Sequence, residues 1–410
     1  MKLIIYVLVI IAIQLNVCNA VSDSANTNYP KIYFDCDFCD KDYLKSKLMY
    51  VNMVRDRFEA DIFVKGYSSD LSGGDMLTLD IFGQNRFDGM KDTVSIFRLE
   101  SHSQDLIREK IAEKINLTLI RYLLKTELAD SLKVNYKPVS QNAASQPVDD
   151  PWDRWVIKFS LNSNLNGEHS FKYSSLYTYA ELKRITEDMK LNFGGYNSFN
   201  ETFYKLETED VIADTRSNGA WANIILAIDS NVSYGVWTEI SNSSYSNIKY
   251  KLYSAAGIEY NFFPYSESIR RQLKFRYRLS PTFAKYMEET IFFKTEELRL
   301  AHSIEAVVII SEKWGSIDLS VTYSNYLHDF TKNHINVNME LNLPLFEGLS
   351  FFVWGSYSAI HDQLSLVKGS GDVDVYTRRK QLETNFNYSS YIGISYSFGS
   401  IYNNIINARF

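Results

Sequence analysis

Cys36-Asp37-Phe38-Cys39 has the spacing at which two thiols share a redox cycle, close as a local disulfide, or begin a metal site. A reactive thiolate needs positive neighbours or a helix N-terminus to lower its pKa, yet Asp35, Asp37 and Asp40 crowd this pair. The pair therefore reads first as a structural disulfide or as idle thiols, and only then as a redox or metal site. His328-Asp329 and His361-Asp362 each join an imidazole to a carboxylate, the groups of acid–base or zinc chemistry. Neither has the spacing of an established metal motif. A histidine two residues ahead of a serine would put both on one strand face, where the pair can act as base and nucleophile. None of the six histidines is so placed: serine directly follows His102, His169 and His302, which puts it on the opposite face. No catalytic residue, metal set or cofactor emerges, and the expectation is a protein that is not an enzyme.

Charge patterning is more informative. Lys274, Arg276 and Arg278 alternate with Leu273, Phe275, Tyr277 and Leu279. In a strand of period two, that sets three cations on one face and an apolar stripe on the other. Glu259 lies in the preceding alternating run and Glu305 in the following one. Such a ladder sets anion selectivity if it lines an open lumen. It stiffens a filled interior if the carboxylates pair with it. The filled reading is preferred, because buried like charges need partners.

These residues sit in a region with its own grammar. The chain has 410 residues, 45% of them apolar and 15% aromatic, a formal charge of −6 and a mean hydropathy of −0.22. Full disorder and a disulfide-dense miniprotein are excluded, and a nucleic-acid surface is not expected of a mildly acidic chain. The hydropathy opposes a helical membrane protein. It leaves room for a membrane barrel, whose strands alternate polar and apolar residues. Twelve alternating runs follow residue 150, at roughly 153–163, 170–184, 189–200, 219–229, 232–241, 250–261, 272–280, 301–310, 315–325, 333–343, 349–361 and 384–399. Most have about the 9–11 residues a tilted strand needs to cross a bilayer. Their connections sort into short ones on one side and longer ones on the other, notably 201–218, 281–300 and 362–383. Short inner turns, long outer loops and an even strand number together predict an outer-membrane barrel over 151–399, with a tail at 400–410.

Ahead of it, Lys2, the apolar run Leu3–Ile13 and Cys18-Asn19-Ala20 predict an export signal over 1–20. Residues 31–138 read as a small α+β domain of order βαβββαβ. Its helices are expected over Asp40–Met53 and Ser103–Thr126, with a closing strand over Leu132–Tyr136. Residues 139–150 carry no apolar period and read as a linker. The predicted fold class is thus mainly β: an antiparallel transmembrane barrel of about twelve strands preceded by a small α+β periplasmic domain.

The closing segment Tyr391-Ile392-Gly393-Ile394-Ser395-Tyr396-Ser397-Phe398 resembles the terminal signal of outer-membrane barrels. On that likeness Gly393, Tyr396 and Phe398 would be read by the bacterial barrel-assembly machinery. One departure is that residues follow Phe398. Phe262-Phe263-Pro264-Tyr265-Ser266-Glu267-Ser268-Ile269-Arg270-Arg271, Tyr326-Leu327-His328-Asp329, Ser397-Phe398-Gly399-Ser400, Phe34-Asp35-Cys36 and Val54-Arg55-Asp56-Arg57 resemble a Bacteroidota-type outer-membrane barrel family. The resemblance implies a barrel in the bacterial outer membrane with its N-terminal domain in the periplasm, and no settled activity. The element order of 31–138 is also similar to periplasmic domains of Tol-type and curli-secretion proteins, which implies a periplasmic protein partner. The expected role is structural or interaction-based. A channel for small, anionic solutes comes second. A barrel hydrolase comes third, since outer-membrane phospholipases use twelve strands but need the absent histidine–serine spacing.

Overall fold

The computed structural model describes residues 28–71, 73–132, 150–206, 209–369 and 383–399. The expected signal, all but the last residue of the 139–150 linker, the 400–410 tail and most of the Leu132–Tyr136 strand lie outside the described residues.

The N-terminal unit holds strands β1 (Lys31–Asp35), β2 (Asn52–Met53), β3 (Ile62–Leu71), β4 (Gly74–Gly83) and β5 (Lys91–Leu99) in the order β2-β1-β3-β4-β5. Helices α1 (Lys41–Lys47) and α2 (Gln104–Leu123) cover one face of that sheet. Asp40 and Ser103 cap them, each side chain accepting a backbone N–H of the first turn. Ile107, Ile111, Ile115, Leu119 and Tyr122 recur at helical spacing and bury against Ile32, Phe34, Val64, Leu79 and Ile81. Helix α1 is shorter than its apolar pattern predicts. Val51 and Met53 reach the core from extended backbone instead, with Asn52 and Val54 donating to the carbonyls of Pro30 and Ile32. The sheet therefore gains its outer parallel strand from residues assigned above to a helix.

The second face of the sheet is buried too. Tyr33, Phe63 and Phe82 stack in a row across β1, β3 and β4, beside Lys65, Tyr67, Thr78 and Asp80. Among the described residues no helix covers them; the large sheet does.

That sheet has twelve antiparallel strands in sequential order. Its first half is β6 (Trp155–Gly167), β7 (Phe171–Ile185), β8 (Met189–Lys205), β9 (Asp210–Ala227), β10 (Val232–Ser243) and β11 (Ile248–Asn261). Its second half is β12 (Arg271–Tyr286), β13 (Glu296–Glu312), β14 (Gly315–Tyr326), β15 (Asp329–Phe346), β16 (Leu349–Ile360) and β17 (Phe386–Tyr396). Each of the twelve alternating runs is one strand. Among the described residues β6 pairs only with β7, and β17 only with β16, so the sheet does not close on itself.

The strands outrun their apolar cores, which corrects the expected loops. Most of connection 201–218 is strand, because β8 runs to Lys205 and β9 starts at Asp210. Connection 281–300 shrinks to the residues between Tyr286 and Glu296. Beyond the apolar stretch, cross-strand cation–ring contacts such as Arg216 over Phe199 and Lys172 over Phe203 continue the ladder. What remains of the second loop is clamped to the 362–368 segment. Ile291 donates to the Leu366 carbonyl at 2.8 Å, Lys368 to the Glu289 carbonyl at 3.1 Å, and Asn247 Nδ2 to the Ser365 carbonyl at 3.0 Å. Thr290, Leu364, Leu366 and Val367 are buried there. Among the described residues no helix is long and apolar enough to cross a membrane.

Ile115 of α2 is fully buried between helix and sheet. Ile115→Ala should destabilise the N-terminal unit by about 2–5 kcal/mol, measured as an earlier loss of helical circular dichroism in urea.

Candidate functional site

Strand parity places the charges. Phe275, Tyr277 and Leu279 are 46%, 44% and 39% exposed. The interleaved Arg276 and Arg278 side chains are only 22% and 26% exposed. Arg276 stands in register with Glu259 on β11 and Glu305 on β13. Its Nε donates to Glu259 at 2.9 Å and its Nη1 to Glu305 at 2.7 Å. Arg278 Nη2 donates to the same Glu305 at 2.8 Å, and its guanidinium lies 5.1 Å over the Trp237 ring. Tyr265, from the β11–β12 connection, donates its hydroxyl to Glu259 at 3.1 Å. One charge-assisted network thus ties three adjacent strands and one connection together. Lys274 shares the face but makes no ion pair among the described residues.

The other sequence-selected residues scatter. Cys36 and Cys39 are bonded to each other, packed so closely on Gly66 that a Cβ there would sit 2.8 Å from Cys36 Sγ. Gly393 and Tyr396 lie on β17, with Phe398 stacked on Tyr396 just past the strand. Asp362 faces His334 at 3.4 Å rather than its neighbour His361. Burial pushes the Asp362 carboxyl up despite that imidazole. Among the described residues no group of three or more His, Cys, Asp or Glu is arranged to hold a metal.

A second constellation was not anticipated. The helix-free face of the N-terminal sheet seats on the connections that end the large sheet on one side. Arg270 Nε lies 3.7 Å from Asp80 Oδ2, and Arg270 Nη2 donates to Glu312 at 2.8 Å. Tyr67 donates to the Ser311 carbonyl at 3.4 Å, and Lys313 sits 4.2 Å over the Phe82 ring. Arg57 donates to the Pro344 carbonyl at 3.2 Å and Arg55 to the Gly399 carbonyl at 3.1 Å, while Gly348 N–H donates to Asp56. Lys183–Asp70 and Lys158–Glu100 continue the contact at the rim's other end. The unit is therefore a cap docked along the strand ends. A cavity of about 470 Å³ remains beneath it, lined by Tyr33, Arg57, Lys65, Lys313 and Glu340 among others. A signal for this docking does exist in the sequence. Ile62-Phe63-Val64 is an apolar run without alternation, as expected of a strand covered on both faces.

No protein-family model and no curated protein matches the chain. Two solved structures of similar shape are a NanC porin and the β domain of the Bordetella autotransporter BrkA. The porin is 10% identical over 59% of this chain and all of its own, with a TM-score of 0.28. The autotransporter domain is 12% identical over 60% of this chain and 98% of its own, with a TM-score of 0.22. Neither likeness bears on what this chain does.

Two outcomes follow from these contacts. Arg276→Leu leaves Glu259 with only Tyr265 and Glu305 with only Arg278 from this network and should cost on the order of 1–3 kcal/mol, less than a fully buried pair because the groups keep some solvent. On the expectation of a membrane barrel, Phe275→Arg should lower the yield of folding into lipid vesicles more, as a cation on the apolar face near a bilayer midplane costs about 2–4 kcal/mol. Comparing folding yields of the two variants checks the register. The cap should also be alkali-labile. Burial, reinforced by nearby aspartates, raises the Tyr33 and Tyr67 phenols to about 12. A raised folded-state pKa means that the neutral phenols stabilise the docked cap fully below about pH 10 and that this contribution is lost as pH rises through about 12. Helical circular dichroism should fall between about pH 10 and 12, and Tyr67→Phe should flatten the fall.

Proposed function

We propose that the chain is a bacterial outer-membrane β-barrel protein whose N-terminal domain caps the barrel's periplasmic mouth and serves a structural or interaction role. The observation that carries this reading is the apolar exterior of the large sheet. Leu176, Ile224, Val236, Ile240, Leu252, Ile258, Phe275, Leu279 and Ile304 are all more than a third exposed on one face. A patch of that extent is unsuited to water and matches a hydrocarbon core.

Closure of the barrel belongs to the proposal. With an even number of strands in sequence, β17 returns antiparallel to β6, so the two unpaired edges can join. Edges of 13 and 11 residues left open would template aggregation. A lipid core would leave their N–H and C=O groups unsatisfied. Gly393, Tyr396 and Phe398 would then serve recognition by the barrel-assembly machinery, and kinship with the Bacteroidota-type barrels rests on the phrases quoted above. The helical face of the cap points away from the rim and exposes Leu117 and Met49, which suits a periplasmic protein partner. Catalysis is not part of this reading.

The second reading, a channel for small anionic solutes, is favoured by one observation. Lys274, Arg276 and Arg278 share the inner face, and among the described residues only two carboxylates answer them. The pairing of Arg276 and Arg278 and the cap over the mouth place this reading behind the structural one.

The protein should fractionate with outer membranes and migrate faster on gels before boiling than after it. Protease on intact cells should cut within 362–383 and spare 31–132. Recovery as a soluble protein, or cleavage in the cap alone, would sink the proposal. A conductance in planar bilayers that Arg276→Leu alters would move the channel reading ahead.

A further inference from the structure

The inner face of β7–β12 carries aromatic rings where polar residues would serve a water-facing wall. Tyr179, Tyr196 and Trp221 form a contiguous group, with centroids 5.6 Å apart for Tyr179–Trp221 and 6.4 Å for Tyr196–Trp221. Trp237 lies on the next strand under the Arg278 guanidinium. Glycines on the adjacent or the same strand make room for these rings. A methyl group at Gly194 would run into Trp221, one at Gly219 into Tyr196, and one at Gly235 into Trp237. The rings therefore lie against the sheet, and they are only half-buried.

A hollow of about 340 Å³ opens over this surface, edged by Asn223, Glu239, Tyr253 and Arg278. The edge mixes hydrogen-bonding types: a carboxylate that only accepts, a guanidinium that only donates, and an amide and a phenol that do both. Arg278 Nε is buried without a hydrogen-bond partner. We propose that this hollow is a saccharide-binding site. A pyranose has an apolar C–H face that covers an aromatic ring, and a rim of hydroxyls that donate and accept together. A flat apolar floor with a mixed polar edge matches both. A nucleobase would also stack on the rings, but its fixed donor and acceptor pattern has less use for so varied an edge. The site requires only the inner-face geometry, so it stands apart from the membrane location proposed above.

A competing role is purely architectural: rings covering glycines pin strand register without any ligand. Calorimetry on the full chain, folded in a detergent without a sugar headgroup, separates the two. The probes are maltohexaose as a neutral saccharide, oligogalacturonate as an acidic one, and adenosine as a flat non-saccharide. At least one of the two saccharides should bind, and adenosine should not. Glu239→Gln, which leaves every ring in place, should weaken the binding at least about tenfold, or 1.4 kcal/mol, without changing the heat-dependent gel mobility. Trp237→Leu should weaken it further. No saccharide binding up to about 10 mM, binding of adenosine alone, or saccharide affinity indifferent to both substitutions would overturn the proposal.

Discussion

Side chains alternate between the two faces of a strand, so in the large sheet every charge that avoids the apolar exterior must be accommodated on the other face. This constraint organises the sheet. Arg276 sits between Glu259 and Glu305 in register, and Arg278 shares the second carboxylate while covering Trp237. A one-residue slip of β12 would carry both arginines to the apolar face and strand both carboxylates. The network therefore fixes register as well as filling space. The same alternation puts Tyr196, Trp221 and Trp237 inward, where recessed glycines let the rings lie flat.

The cap answers a second constraint. Helices α1 and α2 cover only one face of the small sheet, which leaves Phe63, Phe82, Lys65 and Asp80 in need of cover. The strand-end connections provide it. Asp80 is almost wholly buried, accepts from Thr93 at 2.6 Å, and has Arg270 and Lys91 within 3.8 Å. A buried carboxylate left without such cations would cost several kcal/mol. Docking of the cap thus brings Arg270 to an Asp80 that already has Lys91 and Thr93 of the cap beside it. At the opposite end the 362–368 segment folds onto the β12–β13 connection, burying Leu364, Leu366 and Val367.

Period-two alternation was enough to locate all twelve strands of the large sheet, because each run has one face for an apolar surrounding and one for polar partners. The same alternation put Lys274, Arg276 and Arg278 on a common face. Glu259 and Glu305 are neighbours of the ladder because sequential antiparallel strands are adjacent. The loops were less legible. Polar stretches around 201–218 and 281–300 look like loops in sequence, yet cross-strand contacts keep them in the ladder. Asn52-Met53 was read as helix because its apolar neighbours fit either period.

Sequence by itself determined the pattern of faces, the strand order and the composition of the inner ladder, since these depend on separations of two residues and on adjacency along the chain. Only the tertiary structure decided what lies against what at long range. It placed Asp80 beside Arg270, Phe82 beneath Lys313 and Asn247 against Ser365. It also gathered Trp221, Trp237 and Arg278 from three strands around one hollow. Periodicity assigns a side chain to a face, whereas its partner depends on twist, on strand stagger and on which connection folds over which edge, and none of these leaves a short-range mark on the chain.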